Sequence, residues 1–318
     1  MNDDAGKGLT AGRQARTPAE FPARSWRRIV WRMWLGVGRD HLSIIAAGVA
    51  FFAMLAMVPA IAALIALYGL LADPSQIGET LQVLRPVMPS DVFDMLEGQV
   101  QQLVSAGQTK LGVASLISLA LTLWSARAGV TALIEGLNIV YRETDTRNIF
   151  VQYLMSLALT IAALAVAIVA LLAVVALPAL LHFSDLGPLG RVLAQVAPLA
   201  VLGFASVFVI GGLYRYGPHR ALARKRWLTP GAIVATVGWV AISLALSVYV
   251  SRFADFNNTY GSLGAIVGLM FWLYASTFVL LIGAELNAEM ELETERDTTT
   301  GRVRPMGERG AYVADNVA

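Results

Sequence analysis

Residues 42–72, "LSIIAAGVAFFAMLAMVPAIAALIALYGLLA", contain no charged side chain. A helix needs roughly 20 predominantly apolar residues to cross a bilayer, so this stretch is long enough. Further apolar stretches follow at about 111–134, 149–181, 192–214, 230–252 and 263–285. Backbone hydrogen bonds must be satisfied inside lipid, which leaves only helices or a closed barrel. None of these stretches alternates with period two, so helices are expected. The sequence predicts an all-α, polytopic membrane protein built as a bundle of six transmembrane helices.

Composition agrees. Hydrophobic residues make up 57% of the 318 positions and charged residues 14%, against roughly 25% charged in soluble domains. Cysteine is absent, which excludes disulfides and thiolate metal sites. The net charge of +2 hides a strong segregation along the chain. Arg27, Arg28, Arg32 and Arg39 precede the first span, and Arg215, Arg220, Arg224, Lys225 and Arg226 lie between the fourth and fifth. Segment 73–110 holds Asp73, Glu79, Asp91, Asp94 and Glu97 against Arg85 and Lys110. The positive-inside rule puts the basic segments in the cytoplasm, together with both termini.

Three domains are expected. Residues 1–25 are polar and rich in Gly and Pro and read as a disordered cytoplasmic tail. Residues 26–293 form the membrane domain, and 294–318 a second disordered cytoplasmic tail. Trp26, Trp31 and Trp34, interleaved with the arginines of 27–39, suit a helix lying in the headgroup layer. It is no signal peptide, because the apolar run after it far exceeds the roughly 7–15 residues of an h-region. In 73–110, Val92, Leu96, Val100, Leu103 and Val104 recur at helical spacing, which predicts a short amphipathic helix on the outer face. A packed connector is the preferred reading there, and a rim of the external mouth the alternative. Pro59 should kink span 1, and Ala46, Ala47, Gly48, Ala50 and Ala53 offer neighbouring helices a smooth face. Thr229-Pro230 reads as the N-cap and first turn of span 5.

The polar residues of span 2 carry the chemistry. With Arg127 at zero, Thr131 falls at about 40°, Glu135 at 80°, Asn138 at 20° and Arg142 at 60° around the helix. So narrow a stripe should face the bundle interior or a wet cavity. Arg127 and Glu135 are separated by a rise of roughly 12 Å, so each needs a partner elsewhere. Counting about 25 Å from Lys110 puts Arg127 near the inner-leaflet boundary, where a snorkelling arginine is the plain alternative to a functional cavity. Glu285 and Glu289, one turn apart in span 6, are the predicted partners. They could also form a proton or cation site, although glutamates at a helix end usually just meet water.

Nuclease chemistry needs metal-binding carboxylates or histidines, or an acid/base pair, beside a substrate groove. His41, His182 and His219 show no such spacing. No enzyme, metal or cofactor is therefore expected, and no nucleic-acid partner. Membrane lipids and an amphipathic small molecule are the expected partners, while the oligomeric state is unreadable.

"WSARAGVTALIEGLNIVYRE", "LYRYGPHRALARKRWLTPGA" and, above all, "NNTYGSLGAIVGLMFWLYASTFVLLIGAELNAEME" resemble the YihY/BrkB-like membrane proteins. The resemblance covers about residues 26–293. It implies a six-helix protein of the bacterial inner membrane, in a family that also bears the labels virulence factor BrkB and ribonuclease BN. For some members it implies movement of lipid-like molecules. The matching positions are Pro59, Arg127, Asn138, Tyr141, Pro230, Asn258, Tyr260, Gly261, Gly264, Glu285, Asn287 and Glu289. In the 257–261 turn, capping by Asn257, Asn258 and Thr259 with Gly261 is preferred over ligand binding, and Tyr260 suits the interfacial aromatic belt.

Overall fold

The computed structural model describes residues 12–71, 97–98, 113–183, 187–253 and 262–318. Among these residues the fold is helical. It holds α1 (Ala23–Arg39), α2 (Leu42–Leu71), α3 (Val113–Val140), α4 (Ile149–Phe183), α5 (Gly187–Tyr216), α6 (Lys225–Phe253), α7 (Ser262–Glu291) and the short α8 (Tyr312–Asp315). A 3-10 turn, Pro18–Glu20, precedes α1, and one isolated antiparallel bridge joins Ala223 to Thr299. Among the described residues, three stretches are long and apolar enough to cross a membrane: Ile149–Val166, Lys225–Val248 and Ile266–Glu291. A fourth would be α1 with the first part of α2, but these two meet at 62°. The chain is a multi-pass membrane protein, all-helical among the described residues. The amphipathic helix expected in 73–110 and the turn carrying Asn258, Tyr260 and Gly261 fall outside the described residues, apart from positions 97–98. Pro59 and Gly264 lie within α2 and α7.

The bundle packs α2 on α3, α6 on α7, α4 on α5 and α7 on α2. Its core joins Leu42 and Ala46 to Leu137, Tyr141, Tyr214, Leu228, Ala232, Leu281 and Ala284. Within lipid, association rests on close packing and interhelical hydrogen bonds rather than on escape from water. The contact face of α2 is Ala46, Val49 and Ala50; Ala47 and Gly48, expected on that face, are exposed.

The α6–α7 crossing is tighter still. A Cβ at Gly231 would collide with the Gly283 carbonyl and the Asn287 carboxamide. Asn287 Oδ1 accepts from the Gly231 amide at 2.9 Å, and its Nδ2 donates to the Leu228 carbonyl at 3.1 Å. This explains a departure from expectation. The helix begins at Lys225 and Pro230 lies inside it, because a side chain from α7 satisfies backbone groups that the proline disturbs. Thr229 is no N-cap: its hydroxyl donates to the Lys225 carbonyl.

Both expected tails also differ from a disordered reading over their described parts. Phe21 packs edge-on to Trp26 and Trp227 at ring-centroid distances of 6.1 and 5.8 Å, in a cluster with Ala15, Ile29, Leu286 and Met290. The C-terminal segment folds back over the same end. The Ala221 amide donates to the Gly310 carbonyl, Arg224 to Thr298, Thr300 to Leu222 and Ala318 to Leu292, while Val313 is buried. Arg309, also buried, gathers the carbonyls of Ala314 and Glu295 at 2.6 and 2.8 Å. A few apolar anchors and satisfied backbone groups order segments whose composition reads as polar.

Candidate functional site

The charged end of the bundle is organised by α1 and the last turns of α7. Arg28, Arg32, Gly36 and Arg39 fall at about 0°, 40°, 80° and 20° around α1, while Glu285 and Glu289 lie about 40° apart on α7 and Glu293 follows two residues past its end. The two rows run antiparallel. Arg28 pairs with Glu293; Arg32 with Glu289 at 2.6 Å and Glu293 at 2.9 Å; Arg39 with Glu285 at 3.4 Å. Gly36 leaves room for the Glu285 side chain, since a Cβ there would run into its carboxylate. Asp40 caps the row with an ion pair to Arg39 at 2.9 Å.

Arg142 closes the ladder from α3. Its φ of 57° is left-handed, which ends the helix and swings the side chain to Glu289 at 3.2 Å. Four arginines (28, 32, 39, 142) thus meet four carboxylates (40, 285, 289, 293). Burying an ion is costly unless paired, and Glu285, Glu289 and Glu293 are all buried. Beside the ladder, Arg220 holds Glu291 in a bidentate pair at 2.6 and 3.0 Å, with both side chains almost fully enclosed. Thr298 donates to the same carboxylate at 2.6 Å, and the guanidinium lies 4.9 Å from the Tyr141 ring.

Arg127 is elsewhere. Its Cζ lies 4.1 Å from the ring centroids of both Trp124 on α3 and Tyr153 on α4. Those rings are 5.0 Å apart and meet at 70°, so they form a corner on one side of the guanidinium. A long contact of 3.4 Å reaches Thr131 Oγ1, whose hydroxyl donates to the Arg127 carbonyl at 3.1 Å. Nε is buried without a hydrogen-bond partner among the described residues. The predicted meeting of Arg127 with Glu285 or Glu289 is therefore corrected: the arginine that reaches this glutamate row is Arg142, two residues past the end of α3. A helical side chain leans toward the N-terminus of its helix, so Arg127 points away from the charged end.

The other predicted residues divide. Asn138 is buried and accepts from the His219 amide at 2.7 Å, tying α3 to the loop before α6. Glu135 is exposed and makes no ion pair among the described residues. The stripe is thus not one continuous site. The sequence reading missed Arg28, Arg32 and Arg39 as partners, assigning them to headgroups alone, and missed Glu293, Glu291 and Arg220. The four-residue spacing in both rows was a usable signal for an antiparallel ladder. On the opposite face of α1, Trp31 and Trp34 are 63% and 68% exposed, beside a shallow hollow of about 620 Å³.

Outside the spans, the Asp297 carboxylate is held below its ordinary range. Burial alone would raise it, but hydrogen bonds from the Thr299 hydroxyl and the Arg304 and Thr299 amides outweigh that. Burial pushes Glu143 upward, against the Tyr312 amide that donates to it at 2.7 Å.

The family model described as virulence factor BrkB matches residues 33–306, from the last turns of α1 through the ladder and into the folded C-terminal segment. The chain belongs to the BrkB family. Among relatives, the "Putative ribonuclease-like protein YfkH" of Bacillus subtilis is 31% identical over 252 residues, covering 76% of this chain and 88% of its own. A UPF0761 membrane protein of Vibrio campbellii is 27% identical over 261 residues, covering 79% and 78%. Another, of Aliivibrio salmonicida, is 26% identical over 276 residues, covering 83% and 84%. No solved structure matches. This BrkB-family chain is an integral membrane protein.

Proposed function

We propose that the chain is a six-span protein of the bacterial inner membrane, both termini cytoplasmic, that translocates a lipid-like or otherwise amphipathic substrate. The observation that carries this reading is Arg127, a cation on an apolar helix with aromatic rings on one side and no carboxylate partner among the described residues. Charges at such positions are costly and are retained for function by default. Thr131, one turn further along, continues the polar side toward the charged end. Membrane lipids are the partners this requires, and any driving force comes from a gradient, a second protein or downhill flow.

A second reading, a non-catalytic scaffold for envelope assembly, is favoured by the ladder, where charge is balanced within the chain and needs no ligand. Ribonuclease activity, which YfkH's name evokes, has little support here, since the buried glutamates of the ladder and Glu291 each face an arginine. Reconstitution in liposomes separates the two main readings. The translocator moves labelled phospholipid or amphiphile between leaflets; a scaffold moves none and co-purifies with a stable partner.

A further inference from the structure

The Arg127 corner has the geometry of a half-built oxyanion site. A guanidinium carries five N–H donors in one plane, arranged as a fork for a planar or tetrahedral oxyanion. Here two ring faces hold the group from one side, and cation–π contact strengthens when water is excluded. The rings accept no strong hydrogen bond, so they position the fork without using its donors. Thr131 takes one donor at 3.4 Å, a long contact, and its own proton is committed to the Arg127 carbonyl. Nε is buried and has no hydrogen-bond partner among the described residues.

The surroundings are those of an amphipath rather than of a free ion. Trp124 is 48% exposed, and Leu121, Phe150 and Leu154 are exposed beside it on α3 and α4. In a membrane-spanning bundle such a surface meets acyl chains. The contrast with the ladder matters: every arginine there has a carboxylate partner.

We propose that Arg127, steadied by Trp124 and Tyr153, binds the phosphate or carboxylate headgroup of an anionic amphipath whose apolar part lies along Leu121, Phe150 and Leu154. This deepens the translocator reading and takes its functional meaning from it, but binding is measurable without transport. The test uses the full chain in nanodiscs of mixed phosphatidylglycerol and phosphatidylcholine, with co-purifying lipid measured by native mass spectrometry. Wild type should retain phosphatidylglycerol above the bulk ratio, and Arg127→Gln should lower that enrichment roughly tenfold, the effect of one lost charge-assisted hydrogen bond. Trp124→Leu should lower it less, and Arg127→Lys should restore part of it.

Excess inorganic phosphate should not displace the lipid; displacement would overturn the amphipath assignment in favour of a free-anion site. Equal enrichment in wild type and Arg127→Gln, with both variants monodisperse and melting alike, would overturn the site itself. Should Arg127→Gln misfold, photo-crosslinking of phosphatidylglycerol from a benzoyl-phenylalanine at Leu154 in the otherwise native chain decides instead, and no adduct counts against the proposal. Enrichment that depends on Arg127 without leaflet-to-leaflet flux would remove the translocator reading and leave the site. Flux with no such dependence would do the reverse.

Discussion

The ladder at the charged end and the Arg127 corner both use arginine in a protein that is mostly apolar, yet they satisfy it in opposite ways. In the ladder, carboxylates from α7 and Asp40 meet Arg28, Arg32, Arg39 and Arg142, so charge is neutralised inside the chain. At the corner, Arg127 meets rings, which lower the cost of the charge without cancelling it. A neutralised charge has an architectural role, fixing α1 against α7. A charge held but not cancelled is free to take a ligand.

Removing a carboxylate from the ladder should have the largest structural effect. Glu289→Ala leaves Arg32 and Arg142 without their shared partner and should cost about 3 kcal/mol, the low end for a broken buried pair because both arginines keep some solvent. Thermal unfolding in detergent measures this, and in a double-mutant cycle with Arg32→Gln the losses should fall well short of additive. Additive losses would mean that the ladder does not couple the two helices. Asn287→Ala should follow, at about 1–3 kcal/mol, because it orphans the Gly231 amide and the Leu228 carbonyl. Gly36→Ala should cost about 1–3 kcal/mol by forcing Glu285 away from α1; an unchanged melting point would show that the close approach is dispensable.

These positions also mark how far the sequence could be read. The helix ranges were legible because long apolar runs in lipid leave the backbone no alternative. The stripe on α3 was legible as periodicity, but Arg127, the arginine assigned to Glu285 or Glu289, is not the one that meets this row. Which arginine it is was not legible, because the left-handed turn at Arg142 and the N-terminal lean of Arg127 decide it. The Arg28–Glu293 and Arg32–Glu289 pairs join residues more than 250 positions apart, so the four-residue spacing of each row hinted at a partner without naming it. Pro230 misled for the same reason: a carboxamide on another helix repairs its backbone. Tail composition concealed Phe21 and Val313, single anchors that suffice to fold short segments.

Smaller effects sharpen the contrast from the other side. Arg127→Gln should change stability by less than about 1 kcal/mol, since only cation–π contact and one long hydrogen bond are lost. The smallest expected effect concerns the folded C-terminal segment. Asp297 is held below its ordinary value, so its contribution is present at neutral pH and fades as pH falls below the usual aspartate range near 3.8. Amide protection over 297–304, taken relative to the intrinsic exchange rate at each pH, should therefore fall on acidification in the native chain and lose that dependence in Asp297→Asn.

The division between architectural and available charge is tested most directly by lipid flux through liposomes carrying wild type or Arg127→Gln, each checked for an intact melting transition. The account predicts that wild type moves labelled anionic phospholipid between leaflets and that Arg127→Gln, folded and equally stable, does not. Equal flux through both proteins would contradict it.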